Sequence, residues 1–186
     1  IQFCISEVDR LNHMVDQLLL LARFENQKQN VKQETIYLNA LILDNLTRFS
    51  EKSENKKLKI KTEFTEDYYL ISDNYLVSII ISNLISNAIK YSNPNGEIAI
   101  ELGKTNDEVT FSITDYGVGI AKNDLDKIFN SFYRSDVSNH PEIKGTGLGL
   151  SIVKRLCDLL RIKISVESRI NEKTKFILQF SSAKLK

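Results

Sequence analysis

Lys144-Gly145-Thr146-Gly147-Leu148-Gly149-Leu150-Ser151-Ile152-Val153-Lys154 sets three alternate glycines directly before an amphipathic run. Glycines without Cβ atoms let backbone N–H groups approach an anion. The unpaired N–H groups and positive dipole end of a following helix favour negative charge at the same spot. The run reads as a phosphate cradle, with a glycine-rich loop ending at a helix as the plain alternative. Its spacing excludes two nucleotide folds, because neither Gly-x-Gly-x-x-Gly nor Gly-x-x-x-x-Gly-Lys-Ser/Thr occurs anywhere in the chain.

With 186 residues and 42% hydrophobic content the chain holds one full domain plus a short appendage, or two small domains. Lysine plus arginine (25) nearly balances aspartate plus glutamate (24), so no global field points to nucleic acid. The basic cluster Lys56, Lys57, Lys59 and Lys61 reads as a solvated face. Cys4 and Cys157 lie far apart in helical patterns, which predicts reduced core thiols in a cytosolic compartment and neither a disulfide framework nor a zinc site. No stretch approaches ~18 apolar residues and no signal-peptide layout opens the chain, so no membrane span is expected in it. Ile1 in place of methionine reads as a fragment of something longer.

Between Ile1 and Lys28 there is no proline or glycine, and Ile1, Cys4, Val8, Leu11, Val15, Leu18 and Ala22 recur at alternating steps of three and four. Ile5, Leu19 and Leu21 widen the stripe. The pattern predicts a coiled-coil-like bundle helix that needs a partner, with a helix packed on the main domain as the alternative. Further on, the spacing predicts strands over 35–38, 58–64 and 68–71, and an amphipathic helix over 39–52. A helix over 74–91 is apolar around most of its circumference. A hairpin over 97–104 and 108–115, a glycine-led helix over 147–160 and strands over 163–169 and 174–180 complete the chain. Helices segregated from a largely antiparallel sheet make an α+β fold, a two-layer α/β sandwich.

On the apolar helix Asn83, Asn87, Lys90 and Tyr91 form a polar line at i, i+4 and i+7/i+8. A buried amide without partners costs about 1–3 kcal/mol, so the line faces either a protein network or a ligand cleft. An asparagine oxygen can ligate Mg²⁺ where phosphates and waters supply the other ligands, and Lys90 can meet phosphate as a point charge. Asp115-Tyr116-Gly117-Val118-Gly119-Ile120 places a carboxylate at a strand end before two glycines. That suits an exocyclic amine and a flat base, or a strand-ending turn with a local cap. In Phe129-Asn130-Ser131-Phe132-Tyr133-Arg134 the two phenylalanines read as core packing, and Arg134 as a phosphate contact or a surface residue.

Together these segments resemble the histidine protein kinases of bacterial two-component systems, within the superfamily whose ATP site also serves gyrase, Hsp90 and MutL. Asn83 through Tyr91 looks like the N box, Asp115 to Ile120 the first glycine box, Phe129 to Arg134 the F box and Gly145 to Leu150 the second glycine box. Thr174 and Phe176 sit where the family's closing Thr-x-Phe strand would be, although Lys173 replaces the usual preceding glycine. The resemblance implies a catalytic ATP-binding domain over 31–186. It also implies that residues 1–30, with Arg10-Leu11 and Leu18 to Arg23, are the second helix of a dimerisation and phosphotransfer hairpin.

The resemblance further implies ATP and Mg²⁺ as cofactors, with Asn87 on the metal, Asn83, Lys90 and Arg134 at the phosphates, and Tyr91 against adenine. Asp115 would bind the adenine amino group, with Gly117, Gly119 and Ile120 lining its pocket and Thr174 completing the polar end. Gly145, Thr146, Gly147, Leu148 and Gly149 would form the phosphate cradle, with a lid over 135–146. Superfamily ATPases carry a glutamate four positions before the metal-binding asparagine. Here Asn83 stands there, a poor base, so transfer to histidine is expected over hydrolysis. An ATP-hydrolysing or ATP-gated clamp, or a scaffold with a degenerate site, are the alternatives. His13 and His140 are read as a helix-flank and a loop residue, so the acceptor is expected on a histidine-bearing hairpin helix outside this chain. Implied partners are that hairpin, a response-regulator receiver domain and a second copy in a homodimer, with no nucleic acid. The expected location is the cytoplasmic portion of a membrane sensor.

Overall fold

The computed structural model describes residues 31–105, 108–135, 143 and 145–180, together with Val15 and Leu19. In chain order the elements are β1 (Glu34–Tyr37), α1 (Leu38–Arg48), α2 (Ser50–Asn55), β2 (Lys59–Phe64), β3 (Tyr69–Ser72), α3 (Asn74–Tyr91), β4 (Glu97–Thr105), β5 (Glu108–Asp115), a 3₁₀ turn at Lys122–Asp124, α4 (Gly149–Leu160), β6 (Ile162–Arg169) and β7 (Lys173–Phe180). Most of the expected helix over 1–28, the linking residues 106–107, and His13, Cys4 and His140 lie outside the described residues. Val15 and Leu19 are helical and 52% exposed.

Five strands form one sheet in the order β2-β4-β5-β7-β6, antiparallel except for the parallel β2–β4 pair, while β1 and β3 form a separate antiparallel pair. Alternation along the strands decides the faces. Val109, Phe111 and Ile113 of β5 and Phe176, Leu178 and Phe180 of β7 are buried on the side that receives α3 and α4. Across the three central strands the rungs on that side run Leu102–Phe111–Leu178, then Ile100–Ile113–Phe176, then Ile98–Asp115–Thr174. The apolar rungs therefore end in a polar one, with a carboxylate and a hydroxyl at core depth.

As its composition predicts, α3 is covered nearly all round, and from Leu76 onward no residue of the helix is exposed. It packs on α1, α4 and β5. Asp73 caps its start, accepting a hydrogen bond from the Leu76 amide at 3.1 Å. The α+β two-layer sandwich is thus the observed architecture.

Three expectations are corrected. The helix expected over 39–52 is two helices, because the chain turns at Phe49 (φ −106°, ψ 8°), where Thr47 and Ser50 hydroxyls take up local carbonyls. The glycine-led helix begins at Gly149 rather than at Gly147, which is left-handed at φ 75° and stands outside the helix. Lys56 is no part of a solvated face. Its ammonium donates to the carbonyls of Ile89, Lys90 and Ser92 at 3.0, 2.7 and 3.0 Å, whereas Lys57, Lys59 and Lys61 are exposed as expected. Cys157 is buried and burial pushes its thiol up to about 12, which leaves it an inert core residue.

Phe111 is a fully buried aromatic at the centre of the sheet, and Glu101–Lys175 is a 2.8 Å ion pair on the open face. Phe111→Ala is expected to lower unfolding free energy by about 3–5 kcal/mol. Lys175→Ala should cost no more than about 1 kcal/mol. Urea denaturation followed by circular dichroism measures both.

Candidate functional site

Two adjoining cavities open between α3, α4 and the loop that follows β5. The first, of about 410 Å³, is lined chiefly by apolar side chains around Asp115, Gly119, Ile120 and Thr174. The second, of about 600 Å³, is lined by Lys52, Asn83, Lys90, Gly145, Thr146, Gly147 and Gly149. Asn87, Tyr91, Ile128, Tyr133, Arg134 and Leu150 belong to both and form the wall between them. One chamber thus suits a flat, mostly apolar group, and its neighbour suits an anion.

Asp115 is 3% exposed, and its Oδ1 has no hydrogen-bond partner among the described residues. Burial pushes its carboxyl up to about 7, against the opposing pull of the Gly117 and Asp115 backbone N–H groups and the charge of Lys56. An acceptor held at core depth without a donor is a vacant half of a hydrogen bond, and a ligand N–H can fill it. Beside it, Thr174 is 4% exposed and lies 3.0 Å from Ser168 Oγ. Ser168 donates its one proton to the Lys173 carbonyl and accepts from the Ile120 amide. Thr174 is therefore the donor in its pair with Ser168, and its two lone pairs are left for the cavity.

Gly119 adopts φ 68°, and a Cβ there would sit 2.1 Å from the Arg169 carbonyl oxygen. Gly117 does not line either cavity. A Cβ on it would sit 2.0 Å from the Tyr91 carbonyl oxygen, so this glycine serves the close approach of the loop to the end of α3 and not the approach of a base. The Asn171 amide donates to the Val118 carbonyl at 2.8 Å and fastens the same loop to the β6–β7 turn.

In the second cavity Asn83 donates from Nδ2 to the Ile79 carbonyl at 2.9 Å, which leaves Oδ1 facing Gly149, where a Cβ would come within 2.8 Å of it. A Cβ on Gly145 would fall 2.0 Å from Lys90 Nζ. Gly147 lies against Phe132, whose amide donates to the Gly147 carbonyl at 2.9 Å. Gly149 and Leu150, in the first turn of α4, line the chamber, and no side chain caps that turn. Leu148 is different: its side chain is fully buried, its amide donates to Thr146 Oγ1 at 3.2 Å, and it does not line the cavity.

On the shared wall, Lys90 Nζ stands 4.9 Å from the centre of the Tyr91 ring. Burial raises the Tyr91 hydroxyl above its ordinary value, Arg134 opposes this and Asp115 reinforces it. Arg134 donates from Nη2 to the Ile143 carbonyl. Tyr133 and Ser135 donate to the two oxygens of Asp124, and these bonds, Ser135's first, hold that carboxyl below the usual range. Phe129 packs partly buried on the core as expected. Phe132 does not: it is 61% exposed at φ 64°, because the turn uses its backbone against Gly147 and aims the ring outward.

Among the described residues no group of three or more His, Cys, Asp or Glu is arranged to hold a metal. The amide oxygens of Asn83 and Asn87 suit a hard cation whose other ligands are phosphate oxygens and water. Sequence reasoning missed Ser168, Asp124, Asn171 and Lys52, and it named Ser135 only as the start of the lid. Ser168 becomes visible only through its strand register with Thr174. Of the lid expected over 135–146, only residues 135, 143, 145 and 146 are described.

The model of the family described as "Histidine kinase-, DNA gyrase B-, and HSP90-like ATPase" matches residues 72–184. The chain is 34% identical over 177 residues to Sensor protein RprX of Bacteroides fragilis, which covers 93% of the chain and 34% of the relative. It is 33% identical over 181 residues to Sensor protein kinase GraS of Staphylococcus aureus, covering 96% of the chain and 51% of the relative. The chain therefore spans about a third to a half of these relatives. A solved structure of histidine kinase AdeS from Acinetobacter baumannii superposes with a TM-score of 0.82 at 25% identity, over 98% of this chain and 84% of that one.

Asp115 generates a pH prediction with a definite sign. Its carboxyl is raised from 3.8 to about 7 on folding, so between those values the folded state binds more protons than the unfolded one, and the group's contribution to stability is lost as pH rises through 7. That span corresponds to at most about 4 kcal/mol. Asp115→Asn is expected to raise the Tm of the ligand-free chain at pH 8 and to leave it near the wild-type value at pH 4, as read by thermal melts across that range.

Proposed function

The chain belongs to the histidine kinase-, DNA gyrase B- and HSP90-like ATPase family, on its sensor histidine kinase side, and from that premise we propose that it binds Mg·ATP and donates the γ-phosphoryl group to a histidine side chain. In this reading adenine occupies the first cavity, its amino group donating to Asp115 Oδ1, with Thr174 at the same polar end and Tyr91 against the ring. The phosphates occupy the second, near Lys90, Arg134 and the backbone of Gly145, Gly147 and Gly149. Bound Mg²⁺ would neutralise phosphate charge, with Asn87 as its protein ligand and Asn83 at the phosphates. Phosphoryl transfer is catalysed mostly by positioning and charge neutralisation, which these residues supply without a proton-transfer group.

The observation that carries transfer over hydrolysis is the composition of the second cavity. Its described lining contains lysines, an arginine, amides and hydroxyls, and no carboxylate or histidine that would activate water. Asn83, four residues before Asn87, holds the position where the hydrolysing members of the superfamily have glutamate, and its amide is committed to the Ile79 carbonyl. Among the described residues of that lining a water meets no carboxylate or imidazole.

Residues 1–30 are read as the second helix of a dimerising hairpin whose first helix carries the acceptor histidine, and the phosphoryl group then passes to an aspartate of a response-regulator receiver domain. The sequence periodicity of that segment and the names of the relatives, sensor proteins among them, support this reading. Among the described residues no helix is long and apolar enough to cross a membrane, and the domain is read as the cytoplasmic portion of a membrane sensor.

Incubation with Mg·ATP and a separately supplied acceptor hairpin is expected to give an acid-labile, base-stable phosphohistidine with little free phosphate. Rapid phosphate release without labelling would support the hydrolysing clamp instead. Absence of nucleotide binding would reduce the chain to a scaffold.

A further inference from the structure

Lys56 lines the second cavity, yet its three donors point away from any ligand there. An ammonium has three N–H groups, and Lys56 donates to three carbonyls, those of Ile89, Lys90 and Ser92. These belong to the last turn and cap of α3, where helix carbonyls lack intrahelical partners and the dipole end is negative. The turn has no glycine cap. Ser92 is extended (φ −64°, ψ 146°) and closes the helix through its amide and hydroxyl, both donating to the Ala88 carbonyl. The backbone of Lys56 is fastened as well, its carbonyl accepting from the Asn95 amide at 2.9 Å.

The end of α3 is where the site is built. Lys90 and Tyr91 stand in that turn, and the Tyr91 carbonyl accepts the Val118 amide at 3.3 Å, so the loop after Asp115 is hung from the same place. A Cβ at Gly117 would meet the Tyr91 carbonyl at 2.0 Å, which makes the loop's position depend on that of the turn. A shift of the turn would therefore move the ring of Tyr91, the ammonium of Lys90 and the Asp115 loop together.

We propose that Lys56 is a positioning residue of the ATP site: its ammonium clamps the last turn of α3, which carries Lys90 and Tyr91 and suspends the Asp115 loop. The inference rests on the reading of the two cavities as an ATP site. Lys56 acts through its neighbours and touches no reacting atom.

The test is ATP affinity by calorimetry on the full chain between pH 6 and 8.5, for wild type, Lys56→Met and Lys56→Arg. Lys56→Met is expected to bind ATP about tenfold more weakly than wild type across that range. Lys56→Arg, which keeps donors and charge, should restore the wild-type profile. If Lys56→Met does not fold, Lys56→Gln, which keeps two N–H donors and loses the charge, is read in its place for the same loss of affinity. A Met or Gln variant with wild-type affinity overturns the inference, as does an Arg variant that binds as weakly as the Met variant. Absence of ATP binding by the wild-type chain overturns the ATP reading, and the inference with it.

Discussion

The core of this domain ends in a carboxylate. Along β4, β5 and β7 the helix-facing rungs Leu102–Phe111–Leu178 and Ile100–Ile113–Phe176 are apolar and the next is Ile98–Asp115–Thr174, where one acceptor oxygen is held at core depth with no donor among the described residues. Burial of an unpaired acceptor costs about 1–3 kcal/mol, and more for a charged one, a large share of the marginal stability of a domain this size. Such a cost persists where a ligand completes the bond, and every other feature of the site is arranged around that point. The Ser168–Thr174 pair fixes the hydroxyl beside it, and the loop after β5 is fastened to β6 and to α3.

Glycines make this arrangement possible by contact and not by flexibility. Gly117 lets the loop touch the Tyr91 carbonyl, Gly145 lets backbone lie against the Lys90 ammonium, and Gly149 lets the first turn of α4 reach Asn83. Each contact ties one of the polar residues of α3 to a loop or to the start of α4. As a result the helix that supplies the packing energy of the core also sets the geometry of the site, and displacement of its final turn is felt in both cavities.

Local patterns were legible in the sequence. The polar line of Asn83, Asn87, Lys90 and Tyr91 follows from helical periodicity, and Asp115 from its place at the end of an alternating strand. What escaped depends on contacts distant along the chain. Ser168 matters because strand register sets it beside Thr174, and Lys56 because it meets carbonyls 33 to 36 residues away. Composition read Lys56 as one more solvated lysine and Phe132 as core, since residue type says little about which way a turn points. The split of α1 from α2 at Phe49 escaped for a related reason, since side-chain hydroxyls there compete with the helix for its own carbonyls.

The central claim is that Asp115 reads the exocyclic amine of adenine. Calorimetric comparison of ATP with purine riboside triphosphate, which lacks only that amino group, tests it directly. Loss of one hydrogen bond to a charged acceptor predicts an affinity about 10- to 100-fold weaker for the analogue above pH 7. Equal affinities for the two nucleotides would contradict the account.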